Sequence, residues 1–182
     1  VRLQEANAGE IGVAEIIRGI LDVRAAGIPV FGVIGGSCGA FGGAGIISAC
    51  CDVLLVSEEG RIGVSGPEVI ETNMGVEVFD ARDRALVWRT YGGKNRFLQG
   101  QVQELMENSV AEFRGAVLRR LPCSSEYSLE ALEHEQQELA QRAARFAGCR
   151  DALEVWRKLG YADAEQIPSL TADELKQLQE AK

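Results

Sequence analysis

Six of the eleven residues at positions 35–45 (GGSCGAFGGAG) are glycine. Glycine has no side chain to block a ligand and tolerates positive φ. Between a strand end and a helix start, such a loop can aim backbone N–H groups at an anion. Two anions fit. A phosphate would mean nucleotide chemistry, but in a dinucleotide fingerprint the G-x-G follows its strand almost at once. Here Gly43-Ala44-Gly45 lies well beyond Ile34, and the absence of G-K-[ST] excludes a P-loop. The other anion is a thioester oxyanion, which backbone N–H groups stabilise in a water-poor pocket. On the loop alone, a structural turn without a ligand is the third reading.

Other reactive side chains weigh less. Cys38 lies in the loop, yet no histidine stands nearby to activate it, so a small buried filler is expected. The single histidine, His134, sits among Glu and Gln and is expected on the surface; with one histidine, the common zinc sites are not expected. Arg82, Arg84, Arg89, Lys94 and Arg96 concentrate positive charge in an acidic chain. They suit either an acidic carrier protein or nucleotide phosphates, or simple solvated pairing with Asp80 and Asp83.

The elements that must hold these residues follow from periodicity. Apolar residues recur at helical spacing over 9–25, and Gly27 and Pro29 stop that helix. The run 29–34 (PVFGVI) suits a buried strand, 46–51 a helix of small residues, 52–57 (DVLLVS) a second buried strand and 61–64 a further short one. Helix, strand, glycine loop, helix and strand in that order predict an α/β layered fold. Helices are also expected over 81–89, 109–121, 129–146, 151–159 and 172–181, with Gly92-Gly93-Lys94 breaking the first of these. The character changes after Pro122, which divides the chain into a core (1–121) and a helical C-terminal extension (122–182).

Composition narrows the function classes. The chain has 182 residues, 46% apolar and 25% charged, as expected for one globular domain. A net charge of −8 argues against nucleic acid and anionic membranes as partners. No apolar run reaches the length of a membrane span and no signal peptide is visible. Five cysteines, an odd number without a C-x-x-C pair, read as reduced thiols in the cytoplasm. The opening Val1-Arg2-Leu3-Gln4-Glu5 predicts a piece of a longer protein that starts within a fold.

Taken together, 28–34, the loop with Gly42-Gly43, the small-residue helix, 52–56, Ile62-Gly63 and Gly66-Pro67-Glu68 resemble the crotonase core in order and spacing. Positions 1–5 (VRLQE) resemble the G-A-R-M-Q-E motif of carboxyltransferase beta subunits, and 66–71 (GPEVIE) their G-P-x-V-I-E motif. Positions 1–9, 65–72, 82–90 and 149–153 are most similar to the beta subunits of biotin-independent malonate decarboxylases, so the resemblance covers essentially the whole chain.

That resemblance implies a crotonase-like spiral of ββα units, here without its N-terminal strands. It implies decarboxylation of malonyl carried as a thioester on an acyl carrier protein, giving acetyl thioester and CO2. The Gly43 N–H would form half of an oxyanion hole with Gly42 beside it, and the other half would fall near Val1. Gly36, Gly39, Glu68 and Arg2 would line the substrate site. No metal or biotin is implied on this subunit; the phosphopantetheine arm comes with the carrier protein. A homologous gamma subunit is implied as obligate partner. Two departures matter. Ile46 stands where hydratases carry an acid, so hydration is not carried over. Glu68 maps only loosely onto the second hydratase acid, and an acid just after Pro67 also suits a helix N-terminus. Two alternatives stay open: the beta half of a biotin-dependent carboxyltransferase, and a non-catalytic scaffold subunit.

Overall fold

Helix α1 (Ala6–Ala25) follows a short 3₁₀ turn (Leu3–Glu5) in the computed structural model, which describes residues 3–37, 39–122 and 127–181. Strand β1 (Phe31–Ile34), helix α2 (Gly43–Ala49) and strand β2 (Val53–Ser57) come next. Helices α3 (Pro67–Met74), α4 (Arg84–Tyr91) and α5 (Gly93–Leu98) lead to strand β3 (Glu104–Met106). Four further helices complete the chain: α6 (Val110–Arg120), α7 (Leu129–Phe146), α8 (Ala152–Lys158) and α9 (Ala172–Glu180), with a 3₁₀ turn at Ala164–Ser169. The three strands form a parallel sheet in the order β1-β2-β3, with Phe31 opposite Val53 and Leu55 opposite Glu104. A mixed fold with helical crossovers between parallel strands is what the alternating pattern required.

The central strand β2 is buried at all five positions, as its continuous apolar run demands. β1 departs from expectation: only Ile34 is buried and Val33 is half exposed, because β1 forms the edge of this sheet. Positions 61–64 do not form the expected strand. They make only isolated bridges, Ile62 with Ala40 and Arg61 with Gly92. The three residues of β3 are too few to show a period. Gly92-Gly93-Lys94 does end α4, but Gly92 also starts α5.

Two cores flank the sheet. On one face Ile34, Leu54, Val56 and Leu105 pack with Phe97, Trp156, Ile167 and Leu175, so α8, α9 and the 3₁₀ turn between them share a core with the strands. On the other, Val53, Leu55 and Met106 pack against Ala116 and Phe113 of α6. Fully burying a side chain of this size contributes roughly 1.5–3 kcal/mol. α1 has no buried residue; an ion pair holds its C-terminal end, with Arg24 Nε 2.7 Å from Asp52 Oδ1, and Asp52 also accepts the Val30 N–H.

A second ion pair joins α4 to α8. Arg89 donates to Asp151 through Nε (3.2 Å) and Nη2 (2.8 Å), while Asp151 caps α8 by accepting the Leu153 N–H. Burial alone would raise the Asp151 carboxyl; the Arg89 and Leu153 donors outweigh it and hold the carboxyl below its ordinary value. A depressed folded pKa contributes stability above the unfolded value of about 3.9, and that stability is lost as pH falls through the folded value. Asp151→Asn is therefore expected to cost about 1.5–3 kcal/mol at pH 7. In urea titrations the gap from wild type should close as pH falls below about 4. A gap independent of pH would contradict the assignment.

Candidate functional site

The glycine loop is held from both sides. Gly36 has φ +72° and gives its N–H to Asn108 Oδ1 at 3.0 Å. Further on, the loop runs alongside positions 61–64: Ala40 N–H donates to Arg61 O (2.8 Å), Gly63 N–H to Ala40 O (3.1 Å) and Gly42 N–H to Val64 O (2.8 Å). Gly39 lies where a Cβ would stand 3.0 Å from the Arg61 carbonyl, and at Gly45 a Cβ would be 2.3 Å from the Gly63 carbonyl. The segment that does not form a strand thus serves as the wall of the loop.

Gly42 turns the chain with φ +60°, a conformation that favours glycine, and α2 starts at Gly43. The N–H groups of Gly43 and Ala44 belong to the first helical turn, where no intrahelical acceptor exists. No described residue accepts either of them. They carry the positive end of the helix dipole, which favours an anion. α1 packs against this turn: a Cβ on Gly43 would come 2.5 Å from Val13 Cγ2.

Arg61 is the residue that sequence reasoning missed. Its guanidinium stacks over Trp88 (4.5 Å) and Phe41 (5.7 Å), and Nη2 donates to the Ser37 carbonyl within the loop. Its Nε is buried with no partner among the described residues. An arginine beside Ile62-Gly63 was the only signal available. Glu68 stands exposed in the first turn of α3, directly after Pro67. It is close enough to act on Tyr91, whose hydroxyl is raised first by burial, with the Arg96 charge opposing and the Glu68 charge adding.

The structure therefore brings Gly42 and Gly43 to one helix start and places Gly36 and Gly39 farther back in the same loop. The run from Val64 leads from Gly42 to the helix that carries Glu68. Val1, Arg2 and Cys38 lie outside the described residues. Most of the basic cluster is engaged within the chain, and Arg84 lies exposed over the Trp88 ring. Arg82 pairs with Asp80, Arg89 with Asp151, and Lys94 with Glu58 and the carbonyls of Pro168 and Leu170. Arg96 is partly buried, giving Nη2 to the Ile62 carbonyl, and loss of solvation lowers its pKa. His134 is exposed beside Glu138, as expected. Two clefts, of about 400 and 310 Å³, lie along the C-terminal helices, and no loop residue lines them. Among the described residues no helix is long and apolar enough to cross a membrane.

No family model matches the chain. A curated relative, the malonyl-S-ACP:biotin-protein carboxyltransferase of Malonomonas rubra, is 39% identical over 182 residues, covering 96% of this chain and 56% of the relative. Among solved structures, a Pseudomonas malonate decarboxylase hetero-tetramer in complex with malonate matches at TM-score 0.76 and 34% identity, over 87% of this chain and 57% of that one. A Pseudomonas malonate decarboxylase hetero-dimer matches at TM-score 0.61 and 33% identity, over 77% of this chain and 57% of its own. The chain thus spans a little over half the length of the proteins it matches.

Proposed function

The chain belongs to the family of carboxyltransferase-type malonate decarboxylase subunits, with their crotonase-like fold, and from that premise we propose that it decarboxylates a malonyl thioester. The observation that carries this reading is the N–H of Gly43 at the start of α2, which no described residue accepts, delivered by the positive-φ turn at Gly42. The bond between the carboxylate and the methylene carbon breaks, and its electron pair moves into the thioester as an enolate. The negative oxygen is where the Gly43 N–H acts. Donors aimed at that oxygen stabilise the transition state more than the ground state. Protonation of the methylene carbon then gives acetyl thioester, with CO2 as the other product. The second donor would fall near Val1.

In this reading the thioester arm is the phosphopantetheine of an acyl carrier protein, the reaction is cytoplasmic, and neither biotin nor metal works on this subunit. The partner is a homologous gamma subunit. Ile11 and Ile16 on α1, Ile46 on α2, and Val69 and Met74 on α3 are all large apolar side chains left exposed. Exposure on this scale is typical of interaction surfaces. The isolated chain is expected to self-associate or to be poorly soluble, and to form a defined active hetero-oligomer with its partner. Sedimentation checks this; a well-behaved monomer with full activity on malonyl carrier protein would contradict it.

A second reading keeps the same site and changes the fate of the carboxyl group. It passes to a biotin-bearing protein instead of leaving as CO2, as the name of the Malonomonas rubra relative describes for that protein. Carboxyl-labelled malonyl carrier protein separates the two. The proposal expects label in CO2 with avidin present; loss of turnover with avidin would favour carboxyl transfer.

A further inference from the structure

We infer that Arg61 is the positioning residue of the glycine loop: it holds positions 37–41 so that the Gly43 N–H stands where the enolate oxygen forms. The inference rests on the oxyanion reading of Gly43 given above.

Arg61 is fixed from behind. On either side of it, Gly93 N–H donates to the Gly60 carbonyl (2.8 Å) and Ile62 N–H donates to the Tyr91 carbonyl (2.9 Å). Gly92 is its own bridge partner. Its backbone is therefore tied to the junction of α4 and α5, where Tyr91, Gly92 and Gly93 are all buried.

Towards the loop, Arg61 acts with both side chain and backbone. Its Nη2 donates to the Ser37 carbonyl, and its own carbonyl accepts the Ala40 N–H at 2.8 Å. Its guanidinium lies 5.7 Å from the centre of the Phe41 ring and 4.5 Å from that of Trp88 on α4. Gly39 packs so closely that a Cβ there would come 3.0 Å from the Arg61 Cβ. One residue thus grips 37–41 at both ends. Gly43 follows Phe41 by two positions, and no described residue accepts its N–H. The place of that donor is set by the loop and by α2, not by a hydrogen bond of its own.

The residue type fits this task. No carboxylate among the described residues is paired with Arg61. Its Nε is buried without a partner among them. A buried donor without an acceptor is destabilising, so stability alone does not select arginine here. An apolar chain of similar length would fill the same space. What arginine adds is a flat cation that lies against aromatic rings while its edge donates to a carbonyl.

The test compares Arg61→Met, Arg61→Lys and Arg84→Met with wild type, each in the complete complex with its partner subunits. Amide hydrogen exchange is followed over 35–45, and turnover of malonyl carrier protein is measured per assembled complex. In Arg61→Met the loop should exchange about tenfold faster, as expected for the loss of one charge-assisted hydrogen bond, while β2 exchanges as in wild type. Its kcat should fall about 10–100-fold with KM changed less than about threefold, because a misplaced donor weakens the transition state and not the bound substrate. Arg61→Lys keeps a donor and a charge and should recover part of both losses. Arg84→Met removes the other cation on the Trp88 ring, 5.7 Å from it, and should leave loop exchange as in wild type. The inference is overturned if Arg61→Met leaves the loop or kcat unchanged, or if β2 loosens equally, which would make Arg61 an ordinary packing residue. It is equally overturned if Arg61→Lys is no better than Arg61→Met, or if Arg84→Met loosens the loop as much. A wild-type complex without turnover would sink the reaction assigned above, and the exchange measurement then decides by itself whether Arg61 holds the loop.

Discussion

Gly43→Val is expected to cut turnover of a malonyl thioester by about 10²–10³-fold or more, the usual cost of losing one oxyanion donor. The N–H itself survives the substitution, so the loss comes from position. A Cβ at Gly43 would lie 2.5 Å from Val13 Cγ2, closer than two carbons can pack. Either α1 moves away or the first turn of α2 shifts, and a displacement of about 1 Å in a catalytic group can cost about 10²-fold. Two controls separate this from unfolding. Circular dichroism should show the helix content retained. Val13→Ala combined with Gly43→Ala makes room for the new methyl group and keeps the N–H in place, so that double variant should recover most of the activity lost in Gly43→Ala. Near-normal turnover in Gly43→Val would sink the oxyanion role of this loop while leaving the family membership intact.

Trp156→Ala should lower stability by about 3–5 kcal/mol, the range for truncating a buried aromatic. Trp156 is 1% exposed and sits in the core shared by the strands and the C-terminal helices. Its Nε1 donates to Asn95 Oδ1 at 3.0 Å, and Asn95 in turn donates to the Thr90 carbonyl. The substitution therefore opens a cavity and removes one donor from a buried amide, which still accepts from Gln99 Nε2. Trp156→Phe keeps much of the volume and should cost less. Urea denaturation would measure both. A small effect would mean that α8 is a dispensable attachment to the sheet.

Several elements were legible in the sequence because their causes are local. α7 covers the expected Leu129–Phe146: its Glu, Gln and Ala content favours helix, and Ser128 caps it by accepting the Ala131 N–H. β2 is buried at every position because its apolar run is continuous. The glycine loop could be read because glycine marks turns through its own backbone, although α2 starts at Gly43, three residues before the expected position. What failed depends on residues far apart. Position 61–64 has strand-like composition, but its partners are a loop and Gly92, so no ladder extends along it. The basic residues 82–96 suited an acidic carrier protein, nucleotide phosphates or solvated pairing with Asp80 and Asp83; Arg82 does pair with Asp80, but Arg89 finds its carboxylate 62 positions away and Arg96 is partly buried. The role of Arg61 arises only where the rings of Phe41 and Trp88 converge on it. Sequence determined the helix caps, the buried central strand and the glycine-rich loop, because capping, periodicity and glycine backbone freedom act within a few residues. Tertiary structure alone decided which strand lies at the edge, which charges pair and what covers Gly43, because those outcomes depend on which distant segments compete for the same space.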